Sequence, residues 1–150
     1  MRNDRVVWRC EHIVCSEMDA GRRVIHEILG QLRGRRWRRR DLFDVHVAME
    51  EALINAVRHG NRLDPAKHLH IGCQLFRDRV RIEISDEGAG FDPAAVPDPT
   101  QPSRIGLPRG RGLMLIRAFM SRVEFQDQGR CLVMEKILEG PAGQSRPDDT

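Results

Sequence analysis

Two apolar stretches of strict two-residue period, split by Arg77 and Asp78, restrict this chain more than any other feature. Leu69, Ile71, Cys73 and Leu75 share one face of the first, and Val80, Ile82 and Ile84 share one face of the second. Side chains alternate across a strand, so HIGCQLF and VRIEIS read as a hairpin with one face turned to a core. Arg81, Glu83 and Ser85 take the other face. The same parity puts Asp86 on the apolar side, where a bare carboxylate is costly unless something donates to it. Gly88 and Gly90 follow, and glycine lets backbone or ligand come close. At this level the stretch has two readings. It is a strand end closed by an Asp-Gly turn, or it sets a carboxylate at the floor of a pocket.

The remaining elements surround this hairpin. VVWRCEHI (6–13) reads as a first strand. Ser16 and Asp19 have capping-box spacing, and Val24, Ile28 and Leu32 recur at helical spacing, which places a first helix at about 17–33. Six arginines and Trp37 fall in residues 33–40. That run reads as a solvated interhelical loop or a protein contact; it is too short, with too few aromatics, to stand as a nucleic-acid patch. Asp41 can cap a second helix with Asp44 in its first turn, and Gly60 can end it. That helix is apolar around much of its circumference, yet Glu51 and Asn55 stand one turn apart on one face, with His59 next in line. An amphipathic helix always has a polar stripe, but this one is narrow enough to suggest that the face meets something polar. Residues 92–109 hold five of the eight prolines and read as a long loop. GRGLMLIRAFM starts a third helix at Gly110 and Gly112, and VEFQ and RCLVMEKI close the sheet around Asp127–Gly129. Residues 139–150 read as a polar tail after one domain at 1–138.

Composition narrows the class. A chain of 150 residues with 40% hydrophobic and 31% charged content suits one soluble domain. No apolar run nears membrane-spanning length and the start is no signal peptide, so the chain reads as cytoplasmic with no membrane contact. A net charge of +3 does not by itself imply nucleic acid. Cys10, Cys15, Cys73 and Cys131 form no CxxC pair and have no histidine at zinc-finger spacing, so they read as small hydrophobes with free thiols. His68 and His70 share a strand face without a third ligand and read as surface histidines.

Three sites remain: Glu51 with Asn55, Asp86 with Gly88 and Gly90, and Gly110 with Gly112 at a helix start. A nucleoside triphosphate suits such a set. A glycine-rich helix start offers unpaired N–H groups to phosphates, with Arg109 and Arg111 adding charge. A carboxylate on an apolar floor fits the exocyclic amine of adenine. The Asn55 carboxamide oxygen suits Mg²⁺, and Glu51 is placed to act as a base on an attacking hydroxyl or water. The proline-rich loop would close over the nucleotide. The Walker pattern is absent, so neither a P-loop nor a dinucleotide-binding reading fits.

EEALINAVRHGN, DEGAGFD and GRGLMLIRAFM resemble, in order and spacing, the N, G1 and G2 boxes of the GHKL ATPase superfamily of gyrase and histidine kinases. Over residues 6–137 the chain is most similar to the stand-alone anti-sigma factor serine/threonine kinases. The resemblance implies a Bergerat-type α+β sandwich, a mixed and mostly antiparallel sheet with about three helices on one face. It implies ATP and Mg²⁺, with Glu51 as catalytic base, Asn55 as metal ligand and Asp86 as adenine acceptor. Gly88, Gly90, Gly110 and Gly112 resemble the nucleotide-loop glycines, and Phe91, Arg109, Arg111 and Leu113 lie in or beside the same boxes. Glu50 falls outside the Glu-x-x-x-Asn register. Ser121 stands where the family often has Asp, and Gly129-Arg130 where it often has Gly-Thr. The function so implied is an ATP-dependent anti-sigma factor that phosphorylates a small antagonist protein on Ser or Thr, as a homodimer. A nucleotide-binding regulatory module without kinase activity is the alternative. A histidine-kinase fragment would need a dimerising helical hairpin, and one helix bearing His26 is too little.

Overall fold

A computed structural model of the chain describes residues 4–92 and 110–138. The elements are β1 (Val6–Cys15), α1 (Met18–Arg33), α2 (Arg39–Ile54), a π-helical continuation (Asn55–Gly60), β2 (His68–Phe76), β3 (Arg79–Ser85), α3 (Gly110–Phe119), β4 (Arg122–Gln126) and β5 (Cys131–Ile137). The strands form one open sheet in the order β1-β2-β3-β5-β4. All four described pairings are antiparallel, so the mixed sheet of the expectation is purely antiparallel among the described residues. The three helices cover one face, giving the expected two-layer α+β architecture. The proline-rich loop and the tail, both expected from sequence, lie outside the described residues apart from Asp92.

The alternation that opened the sequence builds the sheet's inner face. Ile71 pairs with Ile84, Cys73 with Ile82 and Leu75 with Val80, and each of these side chains is 3% exposed or less. Leu132 and Met134 extend the apolar row on β5 opposite Ile84 and Ile82. Against it pack Val24, Ile25, Ile28, Leu29 and Leu32 of α1, and Val45, Ala48, Met49, Ala52 and Leu53 of α2. Burial of that many aliphatic side chains, each worth about 1.5–3 kcal/mol, supplies the driving force for the two-layer arrangement. Trp37, in the middle of the arginine run, is 7% exposed and belongs to this core. The α1–α2 connection is therefore pinned by its aromatic, while most of the arginines around it face solvent.

The helix starts depart from the expected capping. α1 begins after Glu17, which makes no side-chain cap bond. Ser16 is buried and its hydroxyl accepts from Asn61 Nδ2 at 3.0 Å, a tertiary bond rather than a cap. α2 begins at Arg39, two residues before the expected cap. Asp41 thus lies in the first turn, where it accepts from Arg38 Nε at 3.2 Å. Asp44 lies beyond that turn and binds Lys136 Nζ at 3.0 Å, tying α2 to β5. Asp41 found its partner three residues earlier at the same helix start, whereas the partner of Asp44 lies on another element, where spacing along one helix does not reveal it.

Candidate functional site

β3 ends at Ser85, and around that end the three motif segments meet. α2 delivers Glu51 in its last turn and Asn55 where the helix widens, both half-buried. The widening is real hydrogen bonding: Asn61 N–H donates to Ala56 O, five residues back, at 2.8 Å. π-helical turns of this kind occur often at functional sites. α3 starts at Gly110 and crosses above these side chains. A Cβ at Gly112 would stand 3.1 Å from Glu51 Oε2 and 3.5 Å from both polar atoms of Asn55, so glycine lets the third helix lie against the pair. Glu50, excluded by register, pairs instead with Arg22 at 3.2 Å on the outer side.

Asp86 stands where the alternation placed it. It lines a small cleft with Ala52, Asn55, Ala56, Ile84 and Leu132, and its Oδ1 accepts from Gly88 N–H at 2.8 Å. A Cβ at Gly60 would overlap the Asp86 carboxylate, and one at Gly88 would overlap the Gly60 carbonyl. The end of the N-box helix and the G1 loop are therefore in direct backbone contact. Gly90 has φ +83°, and a Cβ there would stand 2.4 Å from Gln128 O, so a side chain would meet both strain and collision. Phe91 is half-buried, donates its N–H to Gln128 O at 2.9 Å and stacks edge-on against Phe125 at 5.2 Å. Arg111 is exposed at the start of α3, and Leu113 faces the core at 2% exposure. Arg109 lies outside the described residues. His59 lines a neighbouring groove with Arg58, Arg62 and residues 89–91.

Asn61, which sequence reasoning passed over, and Arg130, which it noted only as a departure from the family pattern, organise this site. Asn61 is fully buried; its Nδ2 donates to Ser16 Oγ and to His68 O, both at 3.0 Å, and its Oδ1 accepts from Glu87 N–H at 2.8 Å. It joins the β1–α1 turn, the start of β2 and the G1 loop to the end of the long helix. Its only sequence signal is its place as the last residue of EEALINAVRHGN. Arg130 donates from Nε to Gly88 O at 2.7 Å and from a terminal nitrogen to Ala89 O at 3.2 Å. It clips the β4–β5 turn to the G1 loop at the position where the departure from Gly-Thr was noted. With Arg130 there, the cleft over Asp86 measures about 20 Å³. A larger hollow of about 830 Å³ lies by Trp37 and Phe76, but its lining holds neither an acidic nor a carboxamide side chain.

A family model described as a histidine kinase-like ATPase domain matches residues 15–136. The serine-protein kinase RsbW of Oceanobacillus iheyensis is 32% identical over 102 residues, covering 63% of this chain and 65% of that protein. The chain thus spans just under two thirds of that relative. The RsbW of Halalkalibacterium halodurans is 31% identical over 115 residues, covering 72% of this chain and 70% of that one. The anti-sigma F factor of Clostridium perfringens is 30% identical over 103 residues, 65% of this chain and 74% of that one. Among solved structures, the RsbU and RsbW domains of Rv1364c from Mycobacterium tuberculosis superpose with a TM-score of 0.57 at 16% identity, over 87% of this chain and 31% of that one, a likeness of fold. The matched region begins at the end of β1 and ends in β5, so it contains every motif that meets around Asp86, and the chain belongs to the histidine kinase-like ATPase domain family.

Proposed function

We propose that the chain binds ATP with Mg²⁺ at the Asp86 cleft and transfers phosphate to a serine or threonine of a partner protein. The observation that carries this reading is the packing of Gly112 against both Glu51 and Asn55, with Asp86 on the neighbouring strand end. The donor set suits the ligand. Asp86 is an acceptor over Ala52, Ala56, Ile84 and Leu132, which fits an amine-bearing aromatic base. The α3 start, with Gly110, Gly112 and the Arg109 and Arg111 positions, offers N–H groups and positive charge to phosphates. Asn55 supplies a hard oxygen for Mg²⁺, which when bound would neutralise phosphate charge. Glu51, one turn below Asn55, takes the proton of the attacking hydroxyl. Small-molecule pockets run to about 300 Å³ or more, so base entry requires Phe91 and Arg130 to draw back from the 20 Å³ cleft that they line.

The names of the relatives supply the class of partner. The acceptor is a small anti-sigma antagonist protein, and the chain sequesters a sigma factor in the cytoplasm as a homodimer. Calorimetry with ATP and Mg²⁺ tests the pocket. Wild type and Glu51→Ala should bind, and Asp86→Asn should lose binding. Phosphotransfer to a candidate antagonist should then vanish in Glu51→Ala alone among the ATP-binding forms. Normal ATP binding with no transfer to any antagonist would leave a regulatory nucleotide module, and no ATP binding by wild type would overturn the proposal. Sedimentation equilibrium tests the homodimer.

A further inference from the structure

A second cluster of ligating groups lies on the opposite flank of the sheet, at the edge strand β1. Cys10 and His12 are two residues apart and so project from the same face of β1, the face covered by α1. Glu27 reaches them from α1. The three ligand atoms, one from each side chain, all lie within 4.8 Å of one another. His12 Nε2 is buried and makes no hydrogen bond of acceptable angle, although Glu27 Oε2 stands 2.8 Å away. A buried ring nitrogen facing a carboxylate and a thiol without a proper bond is a poor arrangement for a plain ion pair. It is a good one for two ligands converging on a common point.

We infer that Cys10, His12 and Glu27 form a Zn²⁺ site that fastens α1 to the edge strand. Thiolate, imidazole and carboxylate are all zinc donors, and the thiol disfavours the hard cations Mg²⁺ and Ca²⁺. Zn–S near 2.3 Å and Zn–N or Zn–O near 2.0 Å set the donors of a tetrahedral site about 3.3–3.6 Å apart. To reach that geometry the widest separation, at most 4.8 Å, closes by about 1 Å and the 2.8 Å His12–Glu27 pair opens by about 0.5 Å, within reach of two half-exposed side chains on a helix and an edge strand. Three protein ligands leave the fourth position to water. Across the ladder, Cys73 is the direct partner of Cys10, and its backbone favours the Cys10 thiolate, which would support a metal-bound one. The site shares no residue with the Asp86 cleft, so it stands or falls independently of nucleotide binding.

The test uses the full chain, stripped of metal and kept in a non-thiol reductant, without nucleotide. Cobalt is titrated in first, then displaced with zinc. One equivalent of Co²⁺ should give a thiolate-to-metal charge-transfer band in the near ultraviolet, and one equivalent of Zn²⁺ should remove it. Cys10→Ser should abolish the band. His12→Ala and Glu27→Gln should each weaken Zn²⁺ binding by at least the roughly 10–100-fold that even outer-shell changes cost. Cys15→Ser and His70→Ala, outside the cluster, should leave it unchanged. Absence of the band in wild type, or its survival in Cys10→Ser, would overturn the inference. Should Cys10→Ser fail to fold by circular dichroism, Glu27→Gln decides, because Glu27 is exposed on α1; unaltered zinc affinity in that variant would also overturn it.

Discussion

Replacing Asn61 with alanine gives the most direct check on how the site is held. Three hydrogen bonds go: to Ser16 Oγ, to His68 O and from Glu87 N–H. Each is worth about 1 kcal/mol net, and a buried partner left unsatisfied costs about 1–3 kcal/mol. Glu87 is exposed, so its N–H turns to water at little cost. Ser16 is 3% exposed and has no such escape. The sum is about 2–4 kcal/mol, a large fraction of the roughly 5–15 kcal/mol that holds a domain of this size. Equilibrium urea unfolding followed by far-ultraviolet circular dichroism reads it out. With m near 1–3 kcal/mol/M, the midpoint should fall by about 1–2 M at unchanged m. A double-mutant cycle adds a control. Ser16→Ala should cost at least ~0.5 kcal/mol less in the Asn61→Ala background than in wild type, because the bond it removes is already gone. A midpoint shift under about 0.3 M, or strict additivity with Ser16→Ala, would refute the view of Asn61 as the joint between these segments.

Other perturbations have equally definite outcomes. Gly112→Ala should leave stability unchanged or raise it by up to ~1 kcal/mol through helix propensity. The same change should weaken ATP binding about tenfold (~1.4 kcal/mol) by crowding Glu51 and Asn55, measured by calorimetry. Arg79, 7% exposed, binds Asp4 at 2.9 Å and Asp78 at 2.8 Å, lies beside buried Glu135 and stacks over Phe76 at 3.8 Å. Arg79→Ala should cost about 3 kcal/mol in thermal or urea unfolding, with Arg79→Lys recovering only part because it loses the planar fork. Burial pushes the Cys10 thiol up to about 11 and raises Cys73 further. A raised thiol pKa means little thiolate at pH 8, so in the metal-free protein iodoacetamide should label Cys10 slowly, gaining about tenfold per pH unit, and should miss Cys73 until the chain unfolds. Rapid Cys73 labelling at pH 8, read by mass spectrometry, would contradict its placement in the core.

Much of this was readable in the chain, and the reasons differ by element. The β2–β3 hairpin followed from period alone, because a one-residue slip would have turned Ile82 and Ile84 to solvent. The same counting carried Asp86 to the inner side, and motif order brought Glu51, Asn55 and Gly112 to one place. The expected helix starts failed for a physical reason: Ser16 and Asp41 are competent caps and Asp44 suits a first turn, but each found a better-placed partner, distant in sequence or three residues away. Trp37 looked like part of a basic surface because six arginines hid a single core anchor. The Cys10–His12–Glu27 grouping was invisible because its third member arrives from another element, and spacing rules see only one strand at a time. Asn61 carried no local signal beyond its neighbours, since its bonds reach 7, 26 and 45 residues away.

The π-helical stretch at Asn55–Gly60 has a consequence for which changes in chain length this protein tolerates. An α-helix advances about 100° per residue. The wider turns take up residues that an α-helix would have spent on further rotation. At their start, Asn55 is aligned beneath Gly112; at their end, Gly60 abuts Asp86 and the next residue, Asn61, reaches three distant segments. Deleting one residue within 55–60 would let the segment relax to ordinary helix, yet it would swing one of these two ends out of phase. Adding one would do the same in the other sense. Substitutions can drift through this segment, but its count of residues is fixed, as the number of links between two toothed wheels is fixed once both are engaged.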